Sequence, residues 1–325
     1  MAQTRRAILA GAAASLAAPS LLKAQQSQLA RIICGFPAGG TADTTARRVA
    51  ELWRGKLADN VLVENRVGAG GRIAVNAVKD AAPDGATLLL SPDSMMTIYT
   101  SVYRKLGYDP ERDVAPVSPV CRYTFALGIG PGVPAEVKTL ADYVTWAKAN
   151  SATVAYGSPA AGSMPHFLGD RFYRAVGVPA RHTPYRGSAP ALQDLVGGHV
   201  PSVMTVLGDF LPFKDAAGLR ILAVTDRQRS RFLPETSTFA ELGFPQVYGV
   251  ETYGIFLPGG SSPDLARKVE GLVKEAAASS ALATGLASMG LEAGATSIEE
   301  YRAHLAKERV DLAPVVKESG FSLDE

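Results

Sequence analysis

Four loops rich in glycine and hydroxyl side chains carry the residues of this chain that are best suited to bind a small ligand. Each loop follows a short apolar run and most precede a helical pattern, so unpaired backbone N–H groups would lie beside serine and threonine hydroxyls. Four such loops converging on one cleft could bind carboxylates without any catalytic group. The candidate binding residues are Phe36, Ala38, Gly39, Gly40, Thr41, Asp43, Ser91, Asp93, Ser94, Ser158, Gly162, Ser163, Tyr185, Arg186 and Gly187.

The first loop lies between an apolar run at 32–34, which predicts a strand, and a helical pattern that begins near Thr41. Gly39 and Gly40 would let an anion approach the backbone closely, and Thr41 could cap the helix. Because a carboxylate at Asp43 would repel a bound anion, we expect Asp43 to face the helix's own N–H groups or to accept a hydrogen bond from the ligand. Taken alone, this loop is equally consistent with an ordinary strand-to-helix turn.

Ser163 and His166 could act as a nucleophile and its base, since residues three apart on a helix can contact each other. Neither Ser158 nor Ser163 lies in a Gly-x-Ser-x-Gly motif, and nothing in the spacing of the aspartates selects a catalytic pair. A histidine near a helix start is more often a structural polar residue, so binding without catalysis is the preferred function. An exported hydrolase that uses Ser163 and His166 is the alternative.

The chain shows no pattern for a metal or a nucleotide cofactor. Its histidines and cysteines have no metal-ligand spacing, and a Gly-Lys-Ser/Thr sequence is absent. Gly68-Ala-Gly-Gly71 begins like a dinucleotide-binding motif, but Ile73 occupies the third glycine position. We interpret this stretch as a tight loop before a helix, and we expect neither a cofactor nor a metal.

The first 24 residues are predicted to be a secretory signal. Arg5 and Arg6 precede an apolar run that is too short to span a bilayer, and the segment ends with a small residue at a cleavage point near Ala24. The arginine pair resembles a twin-arginine signal, so we expect a soluble, exported protein that starts near Gln25. Removal of the three basic residues of this segment lowers the net charge from +2 to −1. A near-neutral body argues against a nucleic-acid partner.

Short apolar runs alternate with helical patterns along the mature chain, which predicts an α/β fold of mostly parallel sheets with helices on both faces. After the first strand, the predicted strands are 61–63, 87–90, 117–129, 153–156, 202–206, 219–224 and 253–257. Cys34 and Cys121 each lie in an apolar run, so we expect two buried thiols rather than a disulfide.

The last quarter of the chain is almost entirely helical in pattern, with a capping box at Ser297 and Glu300. Helices without new strands suggest packing onto an existing sheet, so the chain would leave a first domain, build a second and return. We therefore predict domain 1 from residues 27–126 plus 249–325 and domain 2 from residues 127–248. Two crossings form a hinge, and a cleft between hinged domains is where small ligands bind.

Several stretches of the chain are similar to one known family, in the family's order and across nearly the whole mature sequence. These stretches are 36–43, 63–71, 82–85, 108–110, 115–118, 156–158, 184–187, 189–191 and 222–225. They resemble the solute receptors of tripartite tricarboxylate transporters, the Bug family of periplasmic binding proteins. The resemblance implies a two-domain flytrap fold with a double crossover hinge, in which the four loops enclose a small, usually carboxylated solute.

The resemblance also implies a monomeric periplasmic receptor that delivers a small organic acid to membrane transporter subunits of the tripartite tricarboxylate type. A receptor of the same fold that signals to a sensor partner is a further alternative, since both functions need the same flytrap. Where the family often has an aromatic residue before the last cleft strand, this chain has Glu251 and Thr252. If Glu251 faces the cleft, its acid would favour an amine or a hydroxyl on the ligand.

Overall fold

A computed structural model describes residues 29–324, so the predicted signal segment and the predicted start near Gln25 lie outside the described residues. Within 29–324, no helix combines the length and the apolar composition that a membrane crossing requires. Two groups of strands, joined by one long strand, form the framework that positions the candidate loops.

Each predicted strand is present, with ends that fall within three residues of the prediction. The strands are β1 Leu29–Cys34, β2 Asn60–Asn65, β3 Thr87–Pro92, β4 Val114–Ile129, β5 Ala155–Ser158, β6 Arg181–Pro184, β7 Ser202–Val206, β8 Arg220–Val224, β9 Val250–Pro258 and β10 Glu292–Ala293. The α-helices are α1 Thr41–Trp53, α2 Arg72–Lys79, α3 Tyr99–Val102, α4 Leu140–Ala149, α5 Met164–Val176, α6 Ser188–Val196, α7 Leu207–Phe210, α8 Pro263–Ala278, α9 Ser280–Ala287 and α10 Ile298–Ser319. Short 3₁₀ turns lie at Ala69–Gly71, Asp93–Met95 and Leu211–Phe213.

The sheet is mixed rather than mostly parallel, which corrects that part of the prediction. β1 pairs in parallel with β2 and β3, and β5 pairs in parallel with β6 and β7. In contrast, β9 pairs antiparallel with β3 and β4, and β4 pairs antiparallel with β7, β8 and the short β10. The parallel pairs come from strand–helix–strand units, whereas β4 and β9 carry the chain between the two groups and run against their neighbours.

β4 belongs to both groups of strands. Its residues 114–124 pair with β9, and its residues 125–129 pair with β7 and β8. The chain comes back at Gly249, whose N–H donates to Thr225, and at Val250, which pairs with Thr124. Following the predicted domain boundaries, residues 29–126 and 249–324 are called the first lobe, and residues 127–248 are called the second lobe. The domain division itself stays a prediction.

The second half of β1, which leads into the first loop, is buried on both faces. Ile32, Ile33 and Cys34 are almost completely inaccessible to solvent, as expected for a parallel strand covered by helices. Cys34 and Cys121 are both free and buried, which confirms the prediction of two unpaired thiols. Burial raises the pKa of each thiol to about 12, so both behave as apolar core residues.

The helix starts fix the orientation of the candidate loops. Ser297 caps α10 in the predicted capping box with Glu300. The prediction that Thr41 caps α1 was wrong, because Gly40 is the N-cap residue and Thr41 is the first residue of the helix. The hydroxyl of Thr41 instead forms a hydrogen bond with the hydroxyl of Tyr253 in β9, at 2.9 Å. The start of α1 is thereby fastened to the central sheet.

Candidate functional site

A cavity lies between the two lobes, at the ends of central strands and at the helix starts that follow them. It encloses about 560 Å³, including its opening to solvent, and both lobes contribute to its lining. This position is where open α/β sheets bind ligands, since loops leave the carboxyl ends of the strands there.

Three helix N-termini line this cavity. The lining residues are Gly40, Thr41 and Ala42 at α1, Ser163 and Pro165 at α5, and Ser188 and Ala189 at α6. These helices follow β1, β5 and β6, so the sheet itself aims them at the cavity. The first N–H groups of a helix have no partner inside it, and the helix dipole adds positive potential. This part of the cavity is therefore suited to a negatively charged group.

Two N–H groups of the first loop that the sequence assigned to a ligand are held by carboxylates of the protein. The N–H of Gly39 donates to Asp43 Oδ2 and the N–H of Thr41 donates to Asp209 Oδ1, each at 3.0 Å. Gly39 is exposed to solvent and does not line the cavity. The part of the loop that lines the cavity is its helix end, from Gly40 to Ala42, and the N–H of Thr41 there is already bonded to Asp209.

Asp43 is buried under the first loop and does not line the cavity. Besides the Gly39 N–H, its carboxylate accepts hydrogen bonds from Asn65 Nδ2 at 2.8 Å and from Arg47 Nε at 3.0 Å. Burial alone would raise the pKa of Asp43, but the bonds from Arg47, Gly39 and Asn65 together hold it below its usual value. Asp43 thus accepts a loop N–H instead of the helix's own N–H groups, and it holds the loop in shape.

Asp209 joins the two lobes beside the cavity. It lies in α7 of the second lobe, is buried, and accepts the N–H of Thr41 at the start of α1 in the first lobe. Burial raises the pKa of Asp209, against the opposing effect of hydrogen bonds from Ser188, Thr41 and Thr205. Its carboxyl acts as a helix cap supplied by a different part of the chain.

Glu251 faces the cavity from β9, which meets the condition stated for it above. Only 3% of the residue is exposed. Its Oε1 accepts the N–H of Ser94 at 2.6 Å, and its Oε2 accepts the hydroxyl of Tyr123 at 3.1 Å. Burial, with a contribution from the charge of Asp93, raises the pKa of Glu251 to about 7.

Aromatic rings form much of the cavity wall. They belong to Phe36, Tyr99, Tyr123, Phe125 and Tyr253. The ring centroids of Tyr123 and Tyr253 lie 4.4 Å apart, and those of Tyr123 and Phe125 lie 5.6 Å apart. Among residues 29–324, no lysine or arginine lines this cavity. The positive potential there comes from backbone groups and not from side chains.

The structure brings five of the predicted site residues to the cavity lining and leaves the others outside it. Those that line it are Phe36, Gly40, Thr41, Ser94 and Ser163. Ser91, Asp93, Asp43, Ser158 and Gly162 are buried outside the lining, and Ala38 and Gly39 are exposed. Tyr185, Arg186 and Gly187 line a neighbouring groove that shares Phe36, Pro159 and Ala160 with the cavity. The chain that follows Gly187 reaches the cavity at Ser188 and Ala189 instead.

Ser163 and His166 do not form a catalytic pair. The hydroxyl of Ser163 donates to the carbonyl of Ala160 at 2.7 Å, and Nδ1 of His166 accepts the N–H of Gly162 at 3.1 Å. Burial lowers the pKa of His166 to about 4, so its ring is neutral and already engaged with the backbone. Both side chains stabilise the loop before α5.

Asp93, His304 and Glu308 form a compact group within the described residues, with one possible ligand atom of each within 4.8 Å of the others. The carboxylate of Asp93 accepts hydrogen bonds from the hydroxyls of Tyr301 and Thr252 and contacts His304. Because protein donors already occupy Asp93, this arrangement suits a buried hydrogen-bond network that fastens α10 to the turn after β3.

Sequence reasoning missed Asp209 and every ring of the aromatic wall except Phe36. Tyr123 and Phe125 lie in the middle of β4, where their alternation with other apolar residues looked like ordinary core. Tyr253 and Tyr99 gave no signal either, because a buried tyrosine is common in a core. Asp209 follows β7 directly, and a polar residue after a predicted strand is the one signal that could have marked it.

The sequence matches one known family along most of its length. The family described as "Tripartite tricarboxylate transporter family receptor" matches residues 45–321. This chain belongs to that receptor family. The receptor is 31% identical to protein BugT of Bordetella pertussis, over 96% of this chain and 95% of that protein. The family consists of solute-binding receptors of the periplasm that work with tripartite transporters, so this receptor is not an enzyme.

Solved structures agree with this assignment. The receptor superposes on a periplasmic transporter with a TM-score of 0.85 and 29% identity, covering 93% of this chain and all of that one. It also superposes on an R. palustris protein determined with adipate, with a TM-score of 0.85 and 28% identity, covering 90% of this chain and 98% of that one. The receptor therefore has the two-domain α/β fold of periplasmic binding proteins.

Proposed function

We propose that this receptor captures a small carboxylated organic solute in the cavity between its lobes and delivers it to a membrane transporter of the tripartite tricarboxylate type. The observation that carries the proposal is the meeting of three helix N-termini at one cavity. Such ends bind carboxylates through backbone N–H groups and need no cationic side chain. The adipate in the R. palustris relative supports a carboxylate as the ligand.

The lining residues Phe36, Gly40, Thr41, Ser94 and Ser163 are the part of the predicted set that we assign to ligand contact. The lobes close over the ligand about two crossings, with domain 1 at 27–126 plus 249–325 and domain 2 at 127–248. The change of strand partners within β4 supports these boundaries. The receptor works as a monomer in the periplasm, after cleavage of its signal segment near Ala24. The arginine pair before the apolar run supports export.

The test is to identify what the receptor carries. Protein purified from the periplasm without refolding is examined by native mass spectrometry, and we expect a co-purified small acid. Isothermal titration of the unloaded protein with the same acid is expected to give saturable binding. If no acid is bound and a panel of mono-, di- and tricarboxylates gives no heat of binding, the proposed function is wrong.

A further inference from the structure

Glu251 places an acidic group in the cavity without a cationic partner. Within residues 29–324, no ion pair includes Glu251, and no lysine or arginine lines the cavity. The nearby His304 directs Nε2 to Asp93 Oδ2 at 3.2 Å. A buried acid without a partner is costly to ionise, so an ammonium group of a ligand would stabilise the ionised form of Glu251.

The carboxyl of Glu251 also has free hydrogen-bonding capacity. Each of its oxygens accepts one protein hydrogen bond, from the N–H of Ser94 and from the hydroxyl of Tyr123. The Ser94 side chain is a third hydrogen-bonding partner that opposes the rise in the pKa of Glu251. A carboxylate can accept about four hydrogen bonds, so one position remains for a donor of a ligand.

The walls around Glu251 suit a cation. Tyr123, which donates to Glu251, packs against both Tyr253 and Phe125, and all three line the cavity. Faces of aromatic rings attract ammonium groups, most strongly where water is excluded. A carboxylate among aromatic rings suits an ammonium group, whereas a second carboxylate meets like charge there whenever Glu251 is ionised.

The acid and the helix start of α1 are connected along one wall of the cavity. The hydroxyl of Thr41 contacts the hydroxyl of Tyr253 at 2.9 Å, the ring of Tyr253 lies 4.4 Å from that of Tyr123, and Tyr123 donates to Glu251. Thr41 and Glu251 line the same cavity, so a small molecule in it has access to both the helix start and the acid.

We propose that the ligand is a small amino acid in its zwitterionic form, with its carboxylate at the helix N-termini and its ammonium group at Glu251 between the tyrosine rings. This inference rests on the proposed function and restricts its ligand class. A dicarboxylate has no donor or positive charge for Glu251, so it binds more weakly than an amino acid of the same length.

The test compares matched ligands by isothermal titration. The probes are the common α-amino acids and the ω-amino acids from 3-aminopropanoate to 6-aminohexanoate, each against the monoacid, hydroxy acid and diacid of equal length. We expect the best amino acid to bind about tenfold or more tightly than its matched acids, as for one hydrogen-bonded charge pair. Glu251→Gln should remove this preference and leave the diacid affinity equal or higher. Glu51→Gln, at an exposed position of α1, is the matched control.

A second variant tests the inference even if Glu251→Gln disturbs folding. Phe125→Leu removes an aromatic face without removing a hydrogen bond, so it should weaken amino-acid binding and spare diacid binding. A diacid, monoacid or hydroxy acid that binds the unmodified receptor as tightly as every amino acid would overturn the inference but leave the proposed function intact. Failure of all the acids, amino acids included, would overturn both.

Discussion

Gly39 and Gly40 are neighbours in the first loop but carry different constraints. Gly39 has a φ of +89°, in the left-handed region that favours glycine. Gly40 has a φ of −77°, which any residue can adopt, so the backbone conformation does not require glycine there. A Cβ at Gly40 would meet only the carbonyl oxygen of Pro37, at 3.9 Å. What Gly40 provides is space for a ligand at the cavity.

The first prediction concerns that space. Gly40→Val should fold normally but fill the approach to the start of α1, lowering ligand affinity by about tenfold or more through the loss of a hydrogen bond to a charged group. Isothermal titration measures the affinity, and thermal unfolding measures stability. Gly294→Val is the control, because Gly294 is exposed and a Cβ there would have no neighbour within 4 Å. Equal affinity in both variants would exclude an anion site at this loop.

At the scale of single residues, local pattern found part of the site. Gly40, Thr41 and Ser163 were identified because each follows a strand that ends in a glycine-rich turn. The partner of the Thr41 N–H could not be found in the same way, since Asp209 lies 168 residues away in the sequence. A carboxylate of one lobe that caps a helix of the other is brought there by the tertiary fold. The sequence near the helix carries no signal for it.

At the scale of elements, α10 is joined to the turn after β3 by a hydrogen-bond network in which two side chains have raised pKa values. The hydrogen bond to the Asp93 carboxylate raises the pKa of His304. Burial, with the charges of Asp93 and Glu251, raises the pKa of Glu308 to about 9. Oε2 of Glu308 is buried and has no hydrogen-bond partner, which fits a neutral carboxyl.

The second prediction is the pH dependence that follows. Between the ordinary glutamate value of 4.5 and about 9, the folded chain holds a proton at Glu308 that the unfolded chain has released. The stabilising contribution of His304 is likewise complete below its ordinary value of 6.5 and is lost as pH rises through its raised folded pKa. The free energy of unfolding should therefore fall from about pH 6 to about pH 8.5.

Denaturant titration at several pH values measures this slope. Glu308→Gln, which stays neutral in both states, should make the slope shallower, and His304→Gln should remove a smaller share because this side chain is half exposed. A slope that is identical in Glu308→Gln and the unmodified receptor would show that Glu308 is ionised in the folded state.

The sequence predicted strands correctly where their residues are apolar. It failed where a strand, or its direction, depends on pairing with neighbouring strands. β7 was predicted without error at Ser202–Val206, because all of its residues are buried. β6 was missed, because Arg181–Pro184 contains no apolar run and pairs only along β5. The antiparallel direction of β9 was also beyond local pattern, since it depends on where the chain re-enters the first lobe.

At the scale of the whole molecule, the two lobes contact each other closely in this structure. Asp209 of the second lobe caps α1 of the first, and α10 packs against α5. A Cβ at Gly187 in the second lobe would lie 2.6 Å from Pro37 Cδ in the first. The hydrogen bond from the Thr41 N–H to Asp209 is a polar contact between the lobes beside the cavity.

The third prediction tests that contact. Asp209→Ala should weaken closure, because it removes the acceptor of the Thr41 N–H, and both a larger radius of gyration in small-angle scattering and a lower ligand affinity are expected. Asp209→Asn keeps an oxygen acceptor and should stay close to the unmodified receptor in both measurements. If the alanine and asparagine variants behave alike, the hydrogen bond does not contribute to closure.

The continuity of β4 has a consequence for how the lobes would move. A single strand that is laddered to β9 at one end and to β7 and β8 at the other can twist without breaking its backbone pairing. The lobes would then rotate relative to each other about a continuous strand, unlike domains that are joined by a flexible linker. In hydrogen–deuterium exchange, the amides of 120–129 that pair within the sheet should stay protected with and without ligand. Repeated opening and closing of the lobes would then expose no unpaired strand edge at which molecules could aggregate.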